Sequence, residues 1–416
     1  MPLLLKNVMH QGQITDILIE DGRFAKIAPG QETAAAQKID CRNKAVLPAF
    51  YNLHSHAGMS IFRGLSDDKE LFAWLNQDIW PREARLTPEM IYLATKFSIL
   101  EMIKTGTVFF LDMYFEQQEI LKAAAEMGVR TVSALTGLDL FDAAKTRIEK
   151  EKIEKYINCR HGNKELCVKG LMIHAVYSVS EELIRYIVKR AQEEGLYLTL
   201  HASETAKEVE DCLKNHGCTP IEYLDRLGAL GPKTIVAHAV HLTDKDIALL
   251  ARKKVPLCSN PVSNYKLASG LFMLQKLQKA GCVLTLGTDS MASNNNLSML
   301  EEMKLCALSA KIQSGDATAG RAEDVFAMAT VNGARAVGLD AGIVEEGKLA
   351  DCILVDLNNH FLVPDYNLIS NMVYSADSSC IDTVICNGRI LMQNHHVPGE
   401  EKIIAEIKKL SDIFRN

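Results

Sequence analysis

Near-continuous apolar runs, each followed by a helical pattern, fill the middle of the chain. An eighth apolar run precedes them and ends at His54. The seven later runs are Thr107–Met113, Val129–Leu135, Leu166–His174, Leu196–His201, Thr234–His238, Val255–Ser259 and Cys282–Asp289. Strands that are apolar on both faces and separated by helices are typical of a parallel sheet. Eight such units predict an α/β fold of the (β/α)8 barrel class.

Residues that typically begin and end helices lie between the apolar runs and support the alternation of strands and helices. A helical pattern that begins at Ser180 ends at Gly195, and another begins at an N-capping Thr243. Two further helices, over 87–105 and 321–338, are predicted from their apolar spacing.

Short alternating strands with tight turns occupy both ends of the chain. The runs around Asp21–Gly22 alternate apolar and polar residues as in a β-hairpin, and Asn387–Gly388 marks a similar turn. We therefore predict that residues 1–46 and 341–416 together form one small β-sandwich domain. The barrel domain is expected to span residues 47–340.

Composition narrows the class of protein. The chain has 416 residues, of which 48% are hydrophobic and 24% charged, as in an ordinary globular enzyme. Its 46 basic and 52 acidic residues are interspersed, so no surface for nucleic acid or anionic membrane is indicated. No run approaches the ~18 apolar residues of a membrane span, and the first residues lack signal-peptide features. We expect a cytoplasmic protein whose partner is a small molecule.

The cysteines exclude one kind of metal enzyme. Eleven cysteines are scattered through apolar runs, without a C-x-x-C pair, and are expected to be reduced core residues. The zinc deaminases that use a P-C-x-x-C motif are therefore excluded.

Polar residues end several of the predicted strands, and in a barrel these ends meet at one rim. The first strand ends in His54 and His56, whose spacing places both side chains on one side of a strand. The fifth ends in His201, the sixth in His238 and the eighth in Asp289. Imidazoles with one carboxylate form the protein shell of a catalytic zinc. An isolated H-x-H is as often a plain polar pair, but the convergence on one rim favours a metal site.

The order of these motifs resembles that of the amidohydrolase superfamily. The segments that carry the resemblance are His54–His56, His201–Glu204, Ala237–His241 and Gly287–Ser290. Four further segments resemble the 5-methylthioadenosine/S-adenosylhomocysteine deaminase branch, namely Phe62–Asp68, Ile79–Thr87, Ser259–Gly270 and Ala292–Leu297. The resemblance covers nearly the whole chain.

The resemblance implies one divalent metal per chain, expected to be Zn²⁺. Its implied ligands are His54, His56, His201 and Asp289. His238 would lie beside the metal-bound water. Binuclear relatives carry a bridging lysine at the end of the fourth strand, where this chain has His174 and places Lys169 further back. A single metal is therefore favoured.

The implied reaction is hydrolytic deamination of adenosine-type nucleosides, such as 5'-methylthioadenosine, S-adenosylhomocysteine or adenosine. Hydroxide would add to purine C6, Glu204 would protonate the adjacent ring nitrogen, and Asp289 with His238 would orient the water and take its proton. A carboxyl group that donates near neutral pH requires a partly apolar pocket. The alternative for Glu204 is a solvated helix cap.

The resemblance also implies residues that bind the substrate. Glu83 would hold both ribose hydroxyls, because a carboxylate can accept two hydrogen bonds. His174 would contact the purine and Arg147 the far end of the ligand. The charged run around Arg147 equally favours a solvated helix face. Trp74 either lines an apolar slot for a thioether or packs in the core.

Two departures from the family pattern leave the ribose substituent open. Ser290-Met291 follow the last strand where small residues are usual, and Val262 replaces the glutamate of Asn-Pro-Glu-Ser. Guanine or other aminohydrolases and triazine hydrolases share the metal shell and remain alternative functions. A metal-binding barrel without activity, serving assembly, is a further alternative. A homo-oligomer is compatible with the sequence, which does not determine it.

Overall fold

The computed structural model describes residues 2–33, 37–160 and 163–414. Residues 1, 34–36, 415 and 416 of the predicted end domain lie outside this part. In chain order the strands are β1 (Leu3–His10), β2 (Gln13–Glu20), β3 (Arg23–Ile27), β4 (Gln37–Asp40), β5 (Lys44–Pro48), β6 (Phe50–Ser55), β7 (Thr107–Tyr114), β8 (Arg130–Gly137), β9 (Cys167–Ile173), β10 (Tyr197–Ala202), β11 (Thr234–His238), β12 (Pro256–Ser259), β13 (Val283–Leu286), β14 (Cys352–Asp356), β15 (Ile381–Cys386) and β16 (Arg389–Met392).

Helices follow most of the middle strands. They are α1 (Leu71–Trp74), α2 (Trp80–Glu83), α3 (Pro88–Lys104), α4 (Gln117–Met127), α5 (Ala143–Asn158), α6 (Glu181–Glu194), α7 (Ala206–His216), α8 (Pro220–Arg226), α9 (Asp244–Lys253), α10 (Pro261–Lys266), α11 (Leu274–Lys279), α12 (Met299–Ser314), α13 (Ala322–Ala329), α14 (Val331–Ala336), α15 (Leu368–Tyr374) and α16 (Glu400–Ser411). Short 3₁₀ turns cover Ala57–Phe62, Ser378–Cys380 and Asp412–Phe414, and a π turn covers Leu75–Ile79. None of the helices in the described ranges is long and apolar enough to cross a membrane.

The eight strands β6 to β13 form one parallel sheet in chain order. The two edges of this sheet meet at a bridge between Ser55 and Asp289. The backbone N–H groups of Thr288 and Asp289 donate to the carbonyl of His54 at 3.1 and 2.9 Å across this seam. The predicted (β/α)8 barrel is therefore confirmed, and its closure places the first and last strands side by side.

Local capping explains why the helices begin and end where they do. The Ser180 hydroxyl accepts from Leu183 N at the start of α6, and Gly195 ends this helix in the left-handed conformation with φ 65°. Thr243 forms a capping box with Asp246 at the start of α9. The helix predicted over 321–338 is wrong in one respect, because Thr330 has a non-helical backbone and divides it into α13 and α14.

The other sheet joins both ends of the chain, as predicted. Its strand order is β16-β15-β14-β5-β1-β2-β3, with β4 also paired to β1. One face packs a separate apolar cluster that includes Leu5, Phe24 and Leu354. A buried ion pair of 2.8 Å between Arg130 of β8 and Asp351, which precedes β14, connects this sheet to the barrel. All eleven cysteines are free, and nine are buried, which confirms the expected reduced core residues.

Candidate active site

The polar residues that end the barrel strands lie together at one rim. The imidazole rings of His54 and His56 are 5.0 Å apart, those of His54 and His201 5.0 Å, and those of His201 and His238 5.3 Å. Ring nitrogens of His54, His56 and His201 lie within 4.8 Å of one another, as do ligand atoms of His54, His238 and Asp289. The structure thus brings all five predicted residues into one group.

The backbone turns sharply where two of these side chains enter the group. His238 and Asp289 have φ values of 69° and 62°, in the left-handed region that residues other than glycine seldom adopt. Such conformations cost about 1–3 kcal/mol each and persist at functional sites that the surrounding structure holds in place.

Two of the imidazoles are oriented by backbone carbonyls. His56 Nδ1 donates to the carbonyl oxygen of Met113. His201 Nδ1 donates to the carbonyl oxygen of His174 at 2.9 Å. When Nδ1 carries the proton, Nε2 has a free lone pair, which is the form that binds a metal.

His54 is the clearest sign that a metal belongs here. Its side chain is fully buried, its Nδ1 has no hydrogen-bond partner in the described ranges, and its Nε2 faces only the Asp289 carboxylate, at 3.4 Å. Burial lowers the pKa of His54 to about 4, so its imidazole is neutral at physiological pH. A buried, neutral imidazole without a hydrogen bond of normal geometry is expensive unless its lone pair is used. The residues therefore fit a divalent cation.

The carboxylate of Asp289 faces the same centre. Its Oδ1 atom lies 3.4 Å from His54 Nε2 and 3.2 Å from His56 Nε2. Ser263 donates to Oδ2 at 2.6 Å, and the Ser290 N–H donates to Oδ1 at 2.8 Å. Burial alone would raise the pKa of Asp289, but the contacts with both histidines hold this pKa well below its usual range. The group is an ionised carboxylate.

His238 is held by a residue that the sequence did not single out. Its Nδ1 donates to Asn264 Oδ1 at 2.8 Å, and its Nε2 lies 3.8 Å from Glu204 Oε2. Asn264, together with Ser263, which supports Asp289, belongs to the short helix α10. Both lie in a segment that carried the family resemblance, which was the only available signal for them.

Glu204 lies at the cavity floor, in the loop after β10. Its side chain is only 5% exposed, and Ser269 Oγ donates to Oε1 at 3.4 Å. Burial raises the pKa of Glu204, although the neighbouring His238 opposes that shift. Thr205 rather than Glu204 caps the following helix α7, so the carboxyl group is free to face the cavity.

A buried carboxylate below Glu204 fixes this loop. Glu208 accepts hydrogen bonds from the backbone N–H of Ser203 at 3.1 Å and of Glu204 at 2.8 Å. Ser203 adopts a left-handed backbone with φ 54°. Glu208 carries no functional signal in the sequence, because a glutamate in the first turn of a helix is common.

A cavity with about 670 Å³ of empty space, part of it open to solvent, lies beside the histidine and aspartate group. Its polar lining residues include His56, Glu83, His174, His201, Glu204, His238 and Asp289. Its apolar lining residues include Leu71, Trp74, Leu75, Ile79, Phe115 and Leu138.

Three of the predicted substrate residues line this cavity. Trp74 ends α1 and is 5% exposed, so it both lines the cavity and packs in the core. His174 Nδ1 pairs with Ser178 Oγ at 2.7 Å, and burial lowers the pKa of His174 to about 4. Glu83 ends α2 and is half-buried; burial raises its pKa, partly offset by Tyr114.

Arg147 is not brought to the cavity. Its side chain on α5 is 83% exposed and pairs with Glu151 at 3.5 Å. In this structure Arg147 lies on the solvated helix face, which was one of the two alternatives; its contact with the far end of a ligand stays a prediction. Lys169 is not among the residues that line the cavity. Its Nζ donates to the carbonyl oxygens of Tyr156 and Ile157 at 2.8 and 2.9 Å.

Comparison with known proteins gives a consistent result. The model of the amidohydrolase family matches residues 45–391. A 5'-deoxyadenosine deaminase of Methanothermobacter thermautotrophicus is 42% identical over 397 residues, which cover 94% of this chain and 92% of that protein. A 5-methylthioadenosine/S-adenosylhomocysteine deaminase of Thermococcus onnurineus is 44% identical over 91% of this chain and 89% of its own.

Comparison with a solved structure shows that the similarity extends to the fold. The adenosine deaminase of Xanthomonas campestris, determined with bound zinc, superposes with a TM-score of 0.92 at 28% sequence identity. The match covers 100% of this chain and 98% of that one.

Proposed function

Because this chain belongs to the amidohydrolase family and is a hydrolase, we propose that it deaminates adenosine-type nucleosides, converting the 6-amino purine into the 6-oxo product with release of ammonia. The substrates proposed are 5'-deoxyadenosine, 5'-methylthioadenosine, S-adenosylhomocysteine and adenosine. One observation carries the proposal: a single cavity joins the histidine and aspartate group to Glu204 at one point and to Glu83 at another.

We propose that one divalent metal, Zn²⁺, is held by His54, His56, His201 and Asp289. The buried imidazole of His54, which makes no hydrogen bond of normal geometry, and the ionised carboxylate of Asp289 support this ligand set. When bound, such a metal supplies a hydrolytic nucleophile near neutral pH. The absence of a lysine side chain from the cavity lining of the described chain supports one metal rather than a bridged pair.

Glu204 acts as the proton donor in the proposed reaction. Its buried carboxyl group, with a raised pKa, can give a proton to the purine nitrogen next to C6. Asp289 and His238 orient the attacking water, and Asp289 accepts its proton. Asn264 holds His238 in the tautomer whose Nε2 faces Glu204. The proton on Asp289 then passes to the leaving amino group, which departs as ammonia. The remaining proton of the added hydroxyl group returns to Glu204, which restores its carboxyl group and leaves the 6-oxo product.

The remaining cavity residues fix the nucleoside. The neutral imidazole of His174 is proposed to contact the purine ring, and Glu83 to accept hydrogen bonds from the ribose diol. Trp74 and its apolar neighbours Leu71 and Leu75, which line the cavity, are proposed to cover the 5' substituent. An apolar wall of this kind suits a deoxy or thioether group.

Glu83→Ala tests the substrate assignment. Charge-assisted hydrogen bonds contribute about 1.5–3 kcal/mol each. Losing two of them should lower kcat/KM for 5'-deoxyadenosine at least about 10²-fold, since each tenfold corresponds to about 1.36 kcal/mol. Adenine lacks the diol, so its slow turnover should not change. Glu89→Ala, which alters an exposed glutamate at the start of α3, is the matched control.

Unchanged nucleoside turnover in Glu83→Ala would refute the ribose contact. Fastest turnover of guanine or a triazine by the wild type would replace the nucleoside assignment by one of the alternative amidohydrolase activities. Neither result would alter the proposed metal ligands.

A further inference from the structure

Tyr114 carries a buried hydroxyl group beside the carboxyl group of Glu83 in the cavity wall. It is the last residue of β7 and only 2% exposed, and within the described part of the chain its hydroxyl interacts with Glu83 without forming a hydrogen bond of normal geometry. Both Tyr114 and Glu83 line the cavity. Buried polar groups are nearly always hydrogen-bonded in folded proteins. A hydroxyl at a cavity wall that lacks a hydrogen bond of normal geometry therefore points to a polar group of the ligand.

The chain makes room for this ring at another position. Gly58 lies in the 3₁₀ turn Ala57–Phe62, and a Cβ atom there would be 2.3 and 2.4 Å from two ring carbons of Tyr114. The backbone of Gly58 is outside the left-handed region, so its own conformation does not require glycine. The absence of a side chain at Gly58 instead allows the Tyr114 ring to reach the cavity.

The chemistry of the tyrosine complements that of its neighbour. An ionised carboxylate only accepts hydrogen bonds, whereas a phenol also donates one. Burial, and then the charge of Glu83, raises the pKa of Tyr114 well above its usual value, so its proton is retained. Each hydroxyl of a ribose diol both donates and accepts. A carboxylate and a phenol side by side can therefore satisfy a diol that neither could satisfy alone.

Resting on the nucleoside deamination proposed above, we propose that Tyr114 determines sugar specificity. Its hydroxyl donates to the oxygen of one ribose hydroxyl, while Glu83 accepts from the diol. The site accordingly takes ribonucleosides in preference to their 2'-deoxy or 3'-deoxy counterparts.

The test compares wild type and Tyr114→Phe on 5'-deoxyadenosine, 2',5'-dideoxyadenosine and 3',5'-dideoxyadenosine, with ammonia release as the assay. Wild type should prefer the parent nucleoside at least about tenfold over both. Tyr114→Phe should lower kcat/KM about tenfold for the parent and for one dideoxy substrate. The other, which lacks the hydroxyl that Tyr114 contacts, should change less than about twofold.

An equal loss on all three substrates, or no loss on any, would overturn the proposal. Tyr265→Phe is the matched control, because it also removes a buried phenol hydroxyl without a hydrogen bond of normal geometry, but outside the cavity lining. It should leave the selectivity among the three nucleosides unchanged.

Two further variants separate a direct contact from an indirect one. In a Glu83→Gln background, Tyr114→Phe should still lower kcat/KM for the parent; loss of the effect would mean that Tyr114 acts only through Glu83, which contradicts the proposal. Gly58→Ala should displace the ring and reproduce the loss of selectivity with the tyrosine still in the chain. Full selectivity in Gly58→Ala would contradict the proposed placement of the ring.

The wild-type result alone distinguishes failure of the proposed deamination from failure of the proposed sugar specificity. If no nucleoside releases ammonia, the proposed function fails and the inference on Tyr114 falls with it. If all three nucleosides react equally well, nucleoside deamination stands and only the sugar specificity is overturned.

Discussion

Replacing Glu204 by glutamine removes a proton donor while changing little else. The amide has the same shape as the carboxyl group, so it can keep the contact with Ser269 Oγ, which is 3.4 Å in the native protein. Glu204 is not among the proposed metal ligands, and Glu208 holds the loop through backbone N–H groups that the substitution leaves in place. The metal group and the cavity should therefore persist in Glu204→Gln.

The expected loss is that of a general acid. Such groups contribute about 10²-fold to 10⁴-fold to turnover, which corresponds to about 3–5 kcal/mol. Burial of Glu204 raises its pKa, so more of it is protonated near neutral pH than in an exposed glutamate. The wild-type kcat should consequently fall as the pH rises above that pKa, and the residual kcat of the variant should lack this fall.

The assay combines ammonia release from 5'-deoxyadenosine with metal analysis of the same preparation. Glu210→Gln, an exposed position on α7, is the matched control and should retain full turnover. Wild-type kcat in Glu204→Gln with metal bound would refute the role of this residue. A parallel loss of metal and activity would instead indicate that Glu204 is a metal ligand.

Three other predictions follow from the site. Asn264→Ala should lower kcat about 10-fold to 100-fold at unchanged metal content, because the imidazole of His238 loses its anchor; equal kcat would refute this. Exhaustive chelation should abolish activity, and about one equivalent of Zn²⁺ should restore it; two tightly held metals per chain at full activity would contradict the single site. Burial raises the pKa of Glu208 from 4.5 to about 7, so between these pH values the carboxyl group takes up a proton when the protein folds. Wild type should therefore lose up to about 3 kcal/mol of unfolding free energy relative to Glu208→Gln between pH 4.5 and 7, as measured by urea denaturation; parallel pH profiles would exclude this.

The barrel and the centre of its site were predictable because both depend on regular patterns. Buried parallel strands produce long apolar runs, so the polar residues that interrupt them, such as His201 and Asp289, stand out in the sequence. The fold then fixes where they meet, since the carboxyl ends of barrel strands share one rim. The roles proposed for these residues stay predictions until they are tested.

The residues that hold the histidine and aspartate group in place were not predictable in the same way. Asn264 and Ser263 reach His238 and Asp289 from a short helix whose position depends on tertiary packing, not on periodicity. The break at Thr330 likewise interrupts an apolar pattern that continues through it. The position of Arg147 was left open by the sequence, because a charged helical run carries no information on which face meets solvent; its side chain is 83% exposed.

The most direct measurement is wild-type turnover of five substrates at equal concentration: 5'-deoxyadenosine, 5'-methylthioadenosine, adenine, guanine and a chlorinated triazine. Released ammonia is measured for the first four and released chloride for the triazine. Formation of the 6-oxo product from both nucleosides, at kcat/KM values at least about 10²-fold above that for adenine, is the predicted result. Turnover confined to guanine or adenine, dechlorination of the triazine alone, or no ammonia from any substrate by the metal-loaded protein would contradict nucleoside deamination.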